Sequence, residues 1–381
     1  MISTAKSAVN NRYSGIELLK IIAMFLIVLS HVTQTLGWQA QAVSVHYAYK
    51  LSQASTDWNV PILAWFRIFG AQGNLLFFIC SAWFLVDSPK VKAEKIFHML
   101  ADVWVINALF LTVFLCADPF SLSYRDVKMS LLPTSFALNW YITCYILLYL
   151  IHVELNYLLD HLSQQKHLAY TAMMILLYVL VPYLKPGLFF VSALIEFIVI
   201  YFTIAYLKKY LPGFCSDKVK NKRLLLICFI LLPCLILLTN YLGLNYEYFR
   251  NELLRWGGNT APILLLTAIA AFNLCEKMKF VNVTVNSCAS LLFLVYLIHE
   301  NYLVRIFLRP HIWGSIIGRF GQINIIVLTI IYSIGLFVVS ILLAYLYKAI
   351  LQTTIHRLSE GLLKRLARIY STLRDEFLNL S

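Results

Sequence analysis

Ten apolar runs recur along this chain, each about as long as a helix needs to cross ~30 Å of hydrocarbon. They lie near residues 15–37, 62–86, 99–116, 139–158, 168–184, 187–207, 223–240, 259–275, 287–306 and 323–347. Inside lipid every backbone N–H and C=O must find a partner within its own segment, so each run is expected to be helical. The fifth and eighth are short enough for a re-entrant course. The expected fold class is therefore all-α, a polytopic transmembrane helix bundle of about ten spans. Only 13% of the residues are charged while 61% are hydrophobic, about half the charged fraction of a soluble domain. One water-soluble core cannot hide that much apolar surface.

The formal net charge of +13 has a cheaper explanation than nucleic acid. With the N-terminus placed inside, 20 of the 31 Lys and Arg fall on inner segments and 9 on outer loops, with Lys20 and Arg67 inside spans. That bias predicts both termini on the cytoplasmic side of a cell membrane, and no nucleic-acid partner. Three parts are expected: an N-terminal cytoplasmic segment over 1–14, a membrane domain over 15–349 and a basic tail over 350–381. In the tail Ile355, Leu358, Leu362, Leu366, Ile369 and Leu373 recur at helical spacing among Arg357, Lys364, Arg365, Arg368 and Arg374. This reads as an amphipathic helix on the inner leaflet, with membrane lipid as its partner, or else as an oligomerisation helix. The first apolar run has no small-residue cleavage site, so a removed signal peptide is not expected. The eight cysteines form no CxxC pair or Cys/His cluster. They are expected to be packing residues rather than disulfides or zinc ligands.

Ionisable groups inside spans each cost a few kcal/mol, so they are the functional candidates. In the first span Lys20 and His31 are eleven residues apart, almost three helical turns, which sets them on one face about 16 Å from each other. Glu17 precedes Lys20 by less than a turn. A cation near the cytoplasm and a titratable base farther in suit a phosphate-bearing donor that reacts in the interior. The plainer reading has Lys20 snorkelling to headgroups and His31 bonding a neighbouring helix. In the second span Arg67, Asn74 and Ser81 share a stripe, and Gly70 and Gly73 permit close helix approach; interfacial snorkelling of Arg67 is the plainer alternative. In the ninth span Tyr296, His299 and Glu300 are expected on one helical face. Trp140, Tyr141 and Tyr145, expected at the outer end of the fourth span, fit either a sugar-binding platform or an interfacial aromatic belt. Glu196 reads as a structural hydrogen-bond donor. No GxSxG, P-loop, strand-linked GxGxxG or HExxH is present, which removes the usual nucleotide and zinc chemistries.

Taken in order, these features resemble the acyltransferase-3 family of bacterial integral membrane proteins. The likeness rests on Lys20 to His31 after Gly15–Glu17, on Gly73 followed by Phe77, Phe78 and Ser81, on the WYI element from Trp140, and on the YLIHE element from Tyr296 to Glu300. It runs from about 12 to 350. Two positions depart from the family: Lys20 stands where an Arg is usual, and Ser81-Ala82 replaces Ser-Gly. A Lys keeps the charge but loses the bidentate fork. The resemblance implies an O-acyltransferase that moves an acyl group, commonly acetyl from acetyl-CoA, to a hydroxyl of a cell-envelope glycan or lipid-linked sugar. Acyl-CoA is then a donor substrate, with no permanently bound cofactor and no metal expected. The implied catalytic residues are His31, Glu300 and Lys20. Substrate would meet Glu17, Arg67, Asn74, Ser81, Trp140, Tyr141, Tyr145, Tyr296 and His299. No extracytoplasmic domain is expected after the last span, so acceptor handling falls to the membrane part or to an envelope-biosynthesis partner protein. A transporter or flippase for a glycan or small anion is the alternative, since the same buried charges could line a substrate path.

Overall fold

The computed structural model describes residues 13–37, 49–117, 122–136, 138–181, 192–259 and 261–379, with side chains described to 372. Residues 1–12, those of the fifth and sixth spans from 182 to 191, and the side chains of Leu373 and Arg374 lie outside the described residues. Among the described residues the chain is helical, without strands: an all-α bundle. We number the helices α1 Gly15–Thr35, α2 Asn59–Leu85, α3 Ala93–Ala117, α4 Tyr124–Leu131, α5 Trp140–His161, α6 Gln164–Ile175, α7 Ala193–Tyr210 and α8 Pro212–Ser216. They continue as α9 Lys218–Asn245, α10 Pro262–Glu276, α11 Val283–Ala289, α12 Leu292–His299, α13 Arg309–Phe320, α14 Ile325–Tyr347 and α15 Thr353–Asn379. Among the described residues six apolar helical runs are long enough to cross a membrane: α1, α2, α3, α5, α9 and the run that begins with α14. The eighth and ninth expected spans correspond to shorter or interrupted helices.

Close packing of α1 on α2 sets the centre of the bundle. A Cβ at Gly73 would lie 2.5 Å from the Ala23 carbonyl and 2.6 Å from Ile27, and one at Gly70 would lie 2.5 Å from Ser30 Oγ. Both contacts are closer than real side chains permit, so these two glycines bring the helices together as the spacing predicts. Gly73→Ala is expected to lower the melting temperature in detergent by a few degrees, because the obstacle is helix backbone that cannot yield. Gly335→Ala is the control, having nothing within 4 Å of its Cβ. Equal melting of the two variants would contradict the packing argument.

The start of α1 is stapled to the start of α11. Ser14 Oγ accepts from Asn282 N–H at 2.8 Å and donates to Asn286 Oδ1 at 2.8 Å. The two segments then run side by side toward His31 and His299. On the outside, α9 and α14 expose Ile227, Phe229, Ile331 and Leu342, an apolar surface suited to lipid.

The ninth span differs from its expected form. It is not one helix over 287–306 but α11, then α12, then an unwound turn. The backbone leaves the helix at Glu300 (φ −100°, ψ 10°), whose own N–H still donates to the Tyr296 carbonyl at 3.1 Å, so His299 and Glu300 both face His31. Side chains satisfy the unwound turn. Asn301 Oδ1 accepts from Leu303 N–H at 3.1 Å, its amide donates to Asn107 at 3.1 Å, and Tyr302 donates to Asp126 at 2.7 Å. Non-helical backbone at this depth is tolerated only where protein surrounds it.

The tail also differs. α14 passes through a wide helical turn, Lys348–Gln352, straight into α15, so the expected boundary near 350 falls within one helical run. Its inner side docks on α3, where buried Asp102 accepts from Tyr347 at 2.8 Å, Gln352 at 3.0 Å and His356 at 3.1 Å. His98 stacks on His356 with ring centroids 4.1 Å apart and meets Glu360 at 3.2 Å. Leu358, Leu362 and Ile369 remain exposed.

Candidate active site

His31 sits on α1 one turn from its end, next to Ser30, whose hydroxyl donates to the Arg67 carbonyl at 2.6 Å and accepts from Arg67 Nη1 at 3.0 Å. The contact exists because Gly70 lets the two helices touch. His31 Nδ1 lies 3.2 Å from His299 Nε2 and 3.0 Å from Glu300 Oε1. Arg309, at the head of α13, donates to Glu300 Oε1 at 2.7 Å; Arg305 stands 3.7 Å from Oε2.

These distances assign the protons. His299 Nδ1 lies 2.8 Å from the Val295 carbonyl, which can only accept, so that nitrogen carries the hydrogen. In neutral His299 the other nitrogen, Nε2, then accepts. The proton between the two rings therefore belongs to His31 Nδ1, shared with the Glu300 carboxylate. Nε2 of His31 is left with its lone pair and no hydrogen-bond partner among the described residues, while about 20% of the side chain stays accessible. A carboxylate that fixes one ring nitrogen and leaves the other basic is the arrangement of a general base.

The ligand atoms of His31, His299 and Glu300 lie within 4.8 Å of one another, close enough to hold a small cation. Two guanidinium groups already engage Glu300, however, and their repulsion works against a second positive charge there. Hydrogen bonds alone account for His31 Nδ1 and both ring nitrogens of His299.

Below this cluster a cavity of about 320 Å³ opens, lined by Lys20, Asn74, Ser81, Lys95, Tyr145 and Tyr296 among apolar side chains. Tyr141 lies against it too. Ile27 and Tyr296 close its inner end one helical turn from His31, the Tyr296 ring being 5.9 Å from that of His299. Lys20 is paired with buried Glu17 at 3.3 Å. Asn74 faces Asn259 at 3.5 Å, and Asn259 in turn donates to Glu196 at 3.1 Å.

The expected site residues thus divide into two groups. Lys20, Asn74, Ser81, Tyr141, Tyr145 and Tyr296 meet around the cavity, with Glu17 behind Lys20. His31, Arg67, His299 and Glu300 meet beyond its inner end. Trp140 does not line the cavity; it packs on Tyr141 at 5.7 Å and Phe197 at 6.5 Å. The aromatic trio does not form an outer belt either, because Tyr145 touches Lys95 at the beginning of α3, on the same side as Lys20. Between α3 and α5 in the chain, α4 packs on α3. Arg67 and these aromatics consequently do not share one surface.

Three contributors escaped sequence reasoning. Arg305 and Arg309 count there as outer-loop charges, since nothing in the spacing marks Arg309 as buried. The density of ionisable residues in HENYLVRIFLRP was the available signal. Lys95 reads only as one more inner-side charge.

The described helices thus form a membrane-type bundle with a buried carboxylate–imidazole pair at the end of an internal cavity. The acyltransferase-3 family, whose model is described as an acyltransferase domain, matches residues 13–348; the chain belongs to that family and is a membrane acyltransferase. No curated protein and no solved structure matches it.

Proposed function

We propose that the protein transfers a short acyl group, acetyl in the first instance, from acyl-CoA to a hydroxyl of a cell-envelope glycan or lipid-linked sugar. One observation carries this reading: the free Nε2 of His31, backed by Glu300, stands about 16 Å along α1 from Lys20, with the cavity between them. An extended pantetheine arm spans about the same distance at ~1.2 Å per bond. A donor with its phosphates beside the inner-side lysines would lay that arm in the cavity and, once Tyr296 turns aside, bring its thioester to His31.

The step is then direct. His31 Nε2 takes the proton of the acceptor hydroxyl as its oxygen attacks the thioester carbonyl. The carbon–sulfur bond breaks, and the imidazolium returns the proton to the departing CoA thiolate. Glu300 holds the ring and balances its transient charge, while Arg67 lies close enough to the cluster to favour the carbonyl oxygen as it becomes negative. The acceptor would approach from the opposite end of α1. A second cavity there, of about 210 Å³, is lined by Tyr49, Asn59, Gln322 and Asn324, polar groups suited to a sugar.

Mass spectrometry of envelope glycans from cells with and without the gene tests the reading. The expected result is the loss of one acetyl mass from a single glycan class. Unchanged glycan acylation, with altered glycan export instead, would favour the transporter alternative.

A further inference from the structure

From the mouth of the cavity at its Lys20 end, and resting on the donor reading above, we infer that Lys95 rather than Lys20 is the principal receptor for the donor's phosphates. Both ammonium groups border the same cavity, but their surroundings differ. Lys20 Nζ lies 3.3 and 3.4 Å from the two carboxylate oxygens of Glu17, so its charge is largely answered within its own helix. Lys95 has no carboxylate at ion-pair distance among the described residues. Its ammonium donates to the Tyr145 hydroxyl at 2.7 Å and lies 4.5 Å from the centroid of the Tyr149 ring and 5.1 Å from that of Tyr145.

Neutral partners of this kind orient a cation without neutralising it. An exposed lysine left to itself would extend into water and gain rotamer freedom. Here two aromatic faces and a phenol hold it over the cavity, with the Tyr149 hydroxyl itself fixed by the Lys92 backbone N–H at 3.2 Å. The result is a positive charge at the mouth of an apolar cavity, positioned in advance and unpaired. That is the requirement for capturing a phosphate or diphosphate whose uncharged arm then enters the cavity. Tyr145 acts through Lys95 as a positioning residue.

The experiment compares two acyl donors in detergent-purified full-length protein: acetyl-CoA, and the acetyl thioester of N-acetylcysteamine, which has the reactive end but no phosphate. Lys95→Gln is expected to raise KM for acetyl-CoA about tenfold, the weight of one charge-assisted contact. It should leave kcat within about twofold and KM for the phosphate-free thioester unchanged. Lys95→Arg should retain most of the affinity, and Lys20→Gln should raise KM less than Lys95→Gln. Equal losses on both donors would overturn the inference, by showing that Lys95 supports the cavity wall only. So would an unchanged KM for acetyl-CoA in Lys95→Gln, with the donor reading left standing. Wild-type protein that neither binds nor uses acetyl-CoA would overturn the donor reading, and this assignment with it.

Discussion

His31→Gln is expected to lower acyl transfer by at least about a hundredfold, the usual contribution of a positioned general base. The substitution keeps a polar side chain of similar reach, and its amide can still donate to Glu300 Oε1. It removes the one thing the argument needs, a basic lone pair on the far side of the ring. The loss should fall on kcat, with KM for the donor nearly unchanged, because the cavity proposed for the donor's arm is not lined by His31. The melting temperature should move little. Initial rates of CoA release with acceptor present, measured on purified protein, decide it. Turnover within a few-fold of wild type would remove His31 from the chemistry and leave the imidazole pair as a structural bridge between α1 and α12.

The second large effect concerns stability. Arg309 is 1% exposed and Glu300 7% exposed, and they meet at 2.7 Å. Removing Arg309 alone, as in Arg309→Met, strands a buried carboxylate, an error that costs about 3–5 kcal/mol. Arg305 softens this only slightly, from 3.7 Å and a partly exposed position. The single variant is expected to give poor yields of folded protein. Glu300→Gln combined with Arg309→Met removes both charges and should recover much of the thermal stability, since a neutral pair carries no ion-desolvation penalty. Activity should not recover, because an amide in place of the carboxylate no longer balances a protonated His31. A double variant that melts no higher than Arg309→Met would show that the arginine acts through packing instead.

Why these two residues differ in how readily the sequence reveals them is instructive. His31 announces itself: a histidine eleven residues beyond Lys20 on one helical stripe can be placed by counting turns. Arg309 cannot be placed that way. Whether it lies in an outer loop or against Glu300 depends on the helix ending at His299 and on how the next helical segment packs. Partners distant in sequence, Asn107 and Asp126, stabilise that ending. Tyr145 shows the same limit. Its helix is plain in the sequence, but the partner its ring meets lies on another helix, so it reads as an outer-belt residue while sitting beside Lys95.

Local rules therefore determined the all-α class, the course of the long apolar helices, the glycine contact of α1 with α2, and the stripes on which Lys20, His31, Asn74 and Ser81 lie. Each depends on helical periodicity and on the cost of leaving backbone unsatisfied in hydrocarbon, both of which act within a single segment. Tertiary structure alone decided that the ninth segment breaks at Glu300, that Arg309 returns to it, that Asp102 gathers the tail, and that Glu17 claims Lys20 while Lys95 stays unpaired. Those outcomes depend on which buried charge finds which partner across the bundle, and such pairings are fixed by three-dimensional proximity that sequence spacing does not encode.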